Sequence, residues 1–333
     1  MPPCHSDIEG DALIVAGPTC SGKSALALAL ARALGGIVIN ADSMQVYREL
    51  HVLTARPTAA DEALCPHRLY GVRAACEPGS VAWWRTEALA CLREAWAQGR
   101  LPILCGGTGL YFRALTDGLA AIPDAGAAAR TEARALLAAI GPAALHERLQ
   151  ALDPDTAAGI RASDGQRLAR AWEVLAGTGQ GLSAWQRVPG LPPAPARFAA
   201  LRLAPPRAEL RAAIAERFCD MLAQGALDEV AALLALGLPA SLPAMRAHGV
   251  PELAGVLRHG DRLEDAARRA VLAQGQYTKR QATWFAHHRL AVAQRSDIIT
   301  QRIANMTQLP RIRWQEILSF VQSRVDAPRE ARP

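Results

Sequence analysis

The sequence predicts an α/β fold in which a parallel sheet carries a glycine-rich loop and a helical insertion interrupts the chain. Short apolar runs alternate with segments of helical periodicity, which is the order typical of a parallel sheet. These runs are Ala12–Ala16, Gly36–Asn40 and Leu101–Cys105. The loop Gly17–Ser24 follows the first run directly. From about Ile122 the chain becomes rich in alanine and arginine with few strand-like stretches, which indicates the insertion.

Composition excludes several classes of protein. The chain has 333 residues, half of them hydrophobic and 20% charged, which suits one large domain or two modest ones. Its seven cysteines include no C-x-x-C pair, and its start lacks an apolar leader, so we expect reduced thiols and a cytoplasmic location. No run of apolar residues is long enough to predict a membrane span.

The formal net charge of +6 comes almost entirely from arginine, since Lys23 and Lys279 are the only lysines. A charge of this size indicates a mildly basic surface and does not by itself identify a nucleic-acid partner. We find no heptad run, and we therefore expect a monomer.

The loop after the first strand has the spacing of a phosphate-binding loop, G-x-x-x-x-G-K-[ST]. Glycines let successive backbone N–H groups point inward, and the following helix adds the positive end of its dipole. The lysine can reach terminal phosphate oxygens, and the last hydroxyl can bind Mg²⁺. We therefore expect a di- or triphosphate here, with Ser24 as the metal ligand. The predicted binding residues are Gly17, Pro18, Thr19, Cys20, Ser21, Gly22, Lys23 and Ser24.

The second and third strands should deliver further residues to the same edge of the sheet, where open α/β folds bind ligands. Gly36–Asn40 leads into the segment Ala41–Tyr47, and Leu101–Cys105 leads into Gly106–Gly109. Between them, we predict irregular structure from Pro57 to Gly79, including a turn over residues 66–69, and then a helix over Val81–Gln98. A helix over Leu110–Leu115 follows the third strand.

The remaining segments complete a two-part organisation. Residues 1–119 and 196–323 are predicted to form the core, residues 120–195 the helical insertion, and residues 324–333 a disordered tail. A Pro/Gly-rich linker at Val188–Pro195 closes the insertion. A returning strand is expected after it at Phe198–Leu203, followed by helices at Arg207–Ala223 and Leu227–Leu236 and by one long helix or a pair of helices over Leu263–His287.

Seven sequence blocks, taken in order, resemble the tRNA dimethylallyltransferases. They run from Gly17 to Trp284 and read GPTCSGKS (17–24), NADSMQVY (40–47), PHRL (66–69), GGTGLYFRAL (106–115), DGQRLARAWEV (164–174), AIAERFCDML (213–222) and YTKRQATW (277–284). The resemblance implies a P-loop NTPase-like core with a helical insertion domain. It implies transfer of a dimethylallyl group from dimethylallyl diphosphate, with Mg²⁺, to N6 of the adenine at position 37 of tRNA, beside the anticodon.

The resemblance also implies three catalytic residues. Asp42 would be the general base that takes the proton of the adenine amine; its alternatives are a helix cap or a Mg²⁺ ligand. Thr108 would orient the substrates, although a glycine-flanked turn explains it as well. Arg217 would clamp the diphosphate with its two-pronged guanidinium, and an exposed helix arginine is the alternative.

The implied tRNA contacts, to the anticodon stem-loop, are spread over five segments. Within the insertion, Arg167 and Arg170 are three residues apart and share a helix face, where they could bind RNA phosphates. A solvated helix face explains these charges nearly as well. The predicted tRNA-binding residues are Asp42, Ser43, Met44, Gln45, Thr108, Gln166, Arg167, Leu168, Ala169, Arg170, Arg246, Tyr277, Lys279, Arg280 and Gln281.

The chain departs from the family pattern at two places, which puts details of RNA contact in doubt. Val250 stands where the family usually has tyrosine, and Pro251 should stiffen the turn after it. Gln274–Gln276 stands where arginine is usual. Three other functions remain open: prenyl transfer to free adenine nucleotides, a small-molecule P-loop kinase, and a non-catalytic RNA-binding protein.

Overall fold

The computed structural model describes residues 8–325. Residues 1–7, which include most of the start inspected for a leader, and residues 326–333, which include most of the predicted tail, lie outside the described residues. In the described part of that tail, the side chain of Val325 is 6% exposed and Arg324 Nε donates to the Gln294 carbonyl over 2.6 Å.

The predicted α/β class is confirmed by a six-stranded sheet in which every neighbouring pair of strands is parallel. The strands are β1 (Gly10–Ala16), β2 (Ile37–Asn40), β3 (His67–Arg68), β4 (Pro102–Gly106), β5 (Ala196–Leu203) and β6 (Ser296–Ile299). Their order across the sheet is β3-β2-β4-β1-β5-β6. The four predicted strands are therefore adjacent, in the order β2, β4, β1 and β5.

Thirteen α-helices connect and flank these strands within the described residues. They are α1 (Lys23–Leu34), α2 (Ala59–Leu64), α3 (Val81–Ala97), α4 (Gly109–Thr116), α5 (Gly126–Leu152), α6 (Pro154–Ala158), α7 (Gly165–Thr178), α8 (Leu182–Arg187), α9 (Arg207–Ala223), α10 (Ala226–Ala235), α11 (Val250–His259), α12 (Leu263–His287) and α13 (Arg311–Gln322). None of the helices in the described range combines the length and the apolar character that crossing a bilayer requires.

Strand β1 is apolar from Ala12 to Ala16 because both faces of the sheet are covered. Its side chains alternate between two apolar clusters, with Ala12, Ile14 and Ala16 in one and Leu13 and Val15 in the other. All five are fully buried. A strand buried on both faces reads as a continuous apolar run, which is why the sequence identified it.

Two local predictions between Pro57 and Gly79 were wrong. Thr58 begins α2 with a capping box, in which its hydroxyl accepts from Asp61 N–H and the Asp61 carboxylate accepts from Thr58 N–H. His67 and Arg68, predicted as part of a turn, form strand β3 beside Val38 and Ile39. A two-residue edge strand leaves almost no periodic signal, so pattern reading could not find it.

The turn predicted to be stiffened at Pro251 is the first turn of helix α11. Proline is tolerated there, because the first N–H groups of a helix have no partner within it. Glu252 completes the start by accepting from Gly249 N–H over 3.1 Å. Val250 is 1% exposed and belongs to the apolar core.

The chain forms two compact units. We call the first the core unit; it contains the described residues up to Thr116 and those from Ala194 onward. The second, the helical unit, spans Asp117–Pro193 and has its own apolar cluster, which includes Leu145, Leu149 and Leu168. In this unit α5 is interrupted at Gly141, whose φ of 75° precedes Pro142.

Candidate functional site

The phosphate-binding loop has the predicted context, since β1 ends at Ala16 and α1 begins at Lys23. Gly22 takes a left-handed conformation with φ 96° immediately before the helix. Cys20 is left-handed as well, with φ 64°, which is uncommon outside glycine. The hydroxyl of Ser21 is fully buried and has no hydrogen-bond partner among the described residues. A curled backbone, a helix N-terminus and an unpaired buried hydroxyl form an arrangement suited to a phosphate.

Lys23 and Ser24 lie at the start of α1 beside the carboxyl end of β4. The ammonium of Lys23 is 3.5 Å from the carbonyl oxygen of Pro18, so its side chain folds back over the loop. Burial raises the pKa of the Cys105 thiol to about 11, while the charge of Lys23 and a hydrogen bond with Ser24 act in the opposite direction. Asp42 contributes to the rise. Cys105 is therefore close to Lys23 and Ser24 of the predicted diphosphate site and to Asp42, the predicted general base.

The segment after β6 holds the phosphate-binding loop through hydrogen bonds and close packing. This role was not predicted from the sequence. Ile303 N–H donates to the Ser21 carbonyl over 3.1 Å, and Arg302 Nε donates to the Cys20 carbonyl over 3.1 Å. A Cβ added to Gly22 would lie 1.8 Å from the Ile303 carbonyl oxygen, so this approach requires glycine. No motif marks Arg302 or Ile303, because their contribution is through backbone contact and packing.

Arg217 is half-buried on α9, and its Nη1 lies 3.8 Å from the Cys20 sulfur. The side chain is thus directed at the phosphate-binding loop, although Arg217 lies 197 residues after Cys20 in the sequence. A guanidinium in this position can make charge-assisted hydrogen bonds with an anion in the loop. The position supports the predicted clamp and disfavours the alternative of a freely exposed helix arginine.

Asp42 follows β2, and Asn40 holds its backbone. Asn40 Oδ1 accepts from Asp42 N–H over 2.8 Å, and Asn40 Nδ2 donates to the Asp42 carbonyl over 2.9 Å. Asp42 Oδ1 accepts from Met44 N–H over 3.0 Å. In the part of the chain that the structure describes, Asp42 Oδ2 receives no hydrogen bond. One carboxylate oxygen therefore shapes the turn, and the other can accept a proton.

Thr108 connects the segment after β4 with the segment after β2. Its Oγ1 accepts from Ser43 N–H over 3.0 Å, and its own N–H donates to the Ala41 carbonyl over 3.1 Å. A Cβ added to Gly106 would lie 2.1 Å from the Ala41 carbonyl oxygen, so only glycine allows the segments this close. The glycine pair before Thr108 thus brings the threonine beside Asp42.

Helix α12 adds a buried amide and an aromatic pair to the same place. Gln281, 4% exposed, bonds to Thr19 of the phosphate-binding loop and to Gly107 after β4. The Tyr277 ring lies 4.9 Å from the His248 ring, and the Arg280 guanidinium lies 5.4 Å from the Tyr277 centroid. Burial raises the pKa of Tyr277 to about 12, reinforced by Asp42 and opposed by hydrogen bonds with Thr108 and Gln281 and by the charge of Arg280.

The other predicted tRNA-binding residues of the core unit differ in exposure. Arg246, Lys279 and Arg280 are exposed, and Ser43 and Met44 are half-buried. Gln45 is half-buried too, with its amide nitrogen donating to the carbonyls of residues 54 and 55. Surface charge and half-buried groups beside Asp42 are compatible with RNA contact. The amide of Gln281 is instead occupied within the protein.

In the helical unit, the predicted residues lie at the start of α7. Gln166 is exposed and Ala169 half-buried. Arg167 is 72% exposed in its side chain and Arg170 42%, and their acidic neighbours are Asp164 and Glu173, respectively. Leu168 is fully buried in the cluster of this unit, so its side chain is not at the surface.

The residues present fit a Mg²⁺ ion held mainly by a substrate. Among residues 8–325, no group of three or more His, Cys, Asp or Glu side chains is arranged to hold a metal ion. Mg²⁺ is commonly bound through one or two protein oxygens together with substrate phosphates and water. The hydroxyl of Ser24, exposed at the N-terminus of α1, suits that arrangement.

Comparison with known proteins identifies the family. A family model described as IPP transferase matches residues 45–288. A tRNA dimethylallyltransferase of Gluconobacter oxydans is 61% identical over 320 residues, which are 96% of each chain. One of Granulibacter bethesdensis is 57% identical over 315 residues, covering 95% of this chain and 99% of that protein.

Solved structures agree with the fold. The full-length tRNA isopentenylpyrophosphate transferase of Bacillus halodurans is 29% identical, with a TM-score of 0.66 over 95% of this chain and 97% of that one. A eukaryotic dimethylallyltransferase acting on tRNA has a TM-score of 0.76 at 23% identity, over 97% of this chain and 82% of that one, and supports the fold alone. Together with the match over residues 45–288, these similarities establish that the chain belongs to the IPP transferase family.

Proposed function

We propose that this protein transfers a dimethylallyl group from dimethylallyl diphosphate to N6 of adenine 37 in tRNA, releasing diphosphate. The observation that carries the proposal is the position of the Asp42 carboxylate. It lies at the carboxyl end of β2 beside Ser43, whose N–H donates to Thr108, and its Oδ2 is able to accept a proton. The names of the relatives, tRNA dimethylallyltransferase in each case, support the same reaction.

The phosphate-binding loop would hold the diphosphate end of the donor. The loop N–H groups, the Ser21 hydroxyl and the Lys23 ammonium supply donors and positive charge where the leaving group gains negative charge. Arg217 would bind the same group from α9, and its approach to Cys20 supports this role. When bound through Ser24 and the phosphates, Mg²⁺ would neutralise part of the diphosphate charge.

Asp42 would act on the acceptor. The adenine amine is a weak nucleophile, because its lone pair is delocalised into the ring. As the bond between N6 and C1 forms and the bond between C1 and the diphosphate oxygen breaks, Asp42 takes the proton from N6. The pairing of Asn40 with both backbone groups of Asp42 would keep the carboxylate in position. Thr108 lies close enough to share in orienting the base.

The aromatic group on α12 would receive unstacked bases of the anticodon loop. Aromatic rings beside cationic side chains commonly stack against bases, and Tyr277 is flanked by His248 and Arg280. In the helical unit, Arg167 and Arg170 would bind RNA phosphates. We place the enzyme in the cytoplasm as a monomer; the six cysteines of the described range are all free thiols, which supports a reducing compartment.

The alternatives find less support. A kinase would use Asp42 to activate a hydroxyl and would transfer the terminal phosphate of ATP. A transferase acting on free adenine nucleotides would need neither the helical unit nor exposed arginines on α7. The relatives that match this chain over 95% or more of its length are named for a tRNA reaction.

Incubation of the purified protein with unmodified tRNA and labelled dimethylallyl diphosphate tests the proposal. We expect label in tRNA that depends on Mg²⁺, and none when guanosine replaces adenosine 37. Adenosine monophosphate as acceptor and ATP labelled in its terminal phosphate should both fail. Label in either of these, with none in tRNA, would overturn the proposal.

A further inference from the structure

Gln281 joins two loops that are far apart in the sequence. Its Oε1 accepts from Thr19 N–H over 3.0 Å and from the Thr19 hydroxyl over 3.3 Å. Its Nε2 donates to the Gly107 carbonyl over 3.0 Å. Thr19 belongs to the phosphate-binding loop and Gly107 precedes Thr108, and they are 262 and 174 residues from Gln281, respectively. A single buried side chain therefore contacts both the donor side and the acceptor side of the site.

The chemistry of these contacts requires an amide. One end must accept from an N–H group, and the other must donate to a carbonyl, which neither a carboxylate nor an apolar side chain can do. The side chain is 4% exposed, so an unmade bond would leave a buried polar group unpaired. Gly107 is fitted to the amide, because an added Cβ would lie 2.2 Å from Gln281 Nε2.

We propose that Gln281 is a positioning residue that sets the phosphate-binding loop relative to Thr108 and thereby aligns the donor with the acceptor adenine. This role rests on the proposed function. It differs from direct RNA contact, since both ends of the amide are bonded to the protein. Small errors in the relative position of two reactants are costly, because reaction needs the attacking and attacked atoms close together and in line.

The test compares Gln281→Met, which keeps the size and removes both hydrogen-bonding ends, with Thr278→Val as a matched control. Thr278 lies one turn earlier on α12, is also 4% exposed, and its hydroxyl has no partner among the described residues. We expect Gln281→Met to lower kcat/KM about 10- to 100-fold, with most of the loss in kcat. The control should keep the kinetics of the parent.

A second variant displaces the amide without altering it. Gly107→Ala introduces no left-handed strain, since Gly107 has no positive φ, but its methyl carbon would lie 2.2 Å from Gln281 Nε2 and force the amide to move. It should reproduce the loss in kcat, and the double variant should be little worse than either single one, because both break the same connection. Additive losses, or parental kcat in either single variant, would overturn the proposal.

Binding measurements separate this proposal from the proposed function and from a folding defect. The affinity for tRNA is measured by titration, once with inorganic diphosphate present as the probe and once without it. The parent should show coupling between the two ligands, and folded Gln281→Met should show reduced coupling even if the transferred group is not dimethylallyl. If Gln281→Met does not fold, Gly107→Ala carries the measurement. Unchanged coupling in the folded variants would contradict the positioning role.

Discussion

Asn40 holds the backbone of Asp42 from both sides, accepting from its N–H over 2.8 Å and donating to its carbonyl over 2.9 Å. Asn40 is itself fully buried, and it also donates to the Leu69 carbonyl over 3.0 Å. The Trp84 indole N–H donates to the Asn40 carbonyl over 2.8 Å. The proposed base is thus supported by a buried polar network at the end of β2.

Asn40→Ala should impair both stability and catalysis. It leaves buried backbone groups of Asp42 and Leu69 without their partner, which we expect to lower the free energy of unfolding by about 1–3 kcal/mol. Release of the Asp42 turn should also lower kcat in the folded fraction, with KM for either substrate little changed. Denaturant unfolding and active-site-normalised kinetics measure the two effects. Loss of stability alone would restrict Asn40 to a structural role.

Asp42→Asn tests the base directly. The amide keeps the shape and an oxygen for Met44 N–H, but it cannot take the proton from N6. We expect kcat to fall about 10²- to 10⁴-fold while both substrates still bind. Single-turnover transfer at two Mg²⁺ concentrations, with a melting curve, distinguishes the alternatives. Recovery of the rate at high Mg²⁺ would identify a metal ligand, and a change in melting alone would identify a cap.

Lys23→Ala should weaken donor binding and slow transfer, because it removes a positive charge from the loop. The expected loss is about 2–4 kcal/mol in transition-state stabilisation. Lys279→Ala is the matched control, since it deletes the other lysine of the chain, on the exposed surface of α12. The control should leave the KM for dimethylallyl diphosphate unchanged. Parental kinetics in folded Lys23→Ala would argue against a diphosphate in this loop.

The double variant Arg167→Ala with Arg170→Ala should make tRNA binding less dependent on salt. Each lost phosphate contact should reduce the slope of log K against log salt by about 0.7 to 0.9. Arg134→Ala with Arg148→Ala removes the same charge from exposed positions elsewhere in the helical unit. Binding titrations over a range of salt measure both slopes. Equal slopes in the two double variants would show that position on α7 does not matter.

His248 should make stability depend on pH. Burial and Arg280 lower the pKa of His248 below its usual value of 6.5, while Glu252 and Asp42 oppose the shift. Below pH 6.5, His248 is protonated more readily in the unfolded chain than in the folded chain. The free energy of unfolding should therefore decrease as the pH falls from 6.5 toward the lower pKa of folded His248. His248→Gln should flatten the dependence. The control is His259→Gln, at an exposed position, which should leave the pH dependence unchanged. Urea unfolding below and above pH 6.5 compares the two variants.

Local signals in the sequence were sufficient for much of the fold. Continuous apolar runs identified β1, β2 and β4, because strands covered on both faces leave no alternation, and a returning strand was also expected over most of β5. The glycine and lysine spacing identified the loop at the start of α1. Pattern reading did not find β3, β6 or α2, since short edge strands and a six-residue helix carry too few residues for a period. Proline at the start of α11 was misread as stiffening a turn.

By itself, the sequence determined which segment has the pattern of a phosphate-binding loop and which acidic residue lies at the end of a neighbouring strand. These are consequences of turn chemistry and hydrophobic period, which act over a few residues. Only the tertiary structure decided what surrounds them. Gln281 reaches Thr19 across 262 residues, and Arg217 reaches Cys20 across 197. Such contacts depend on strand order and on which helix packs over the edge of the sheet, because buried polar groups bond to whatever partner packing brings within reach.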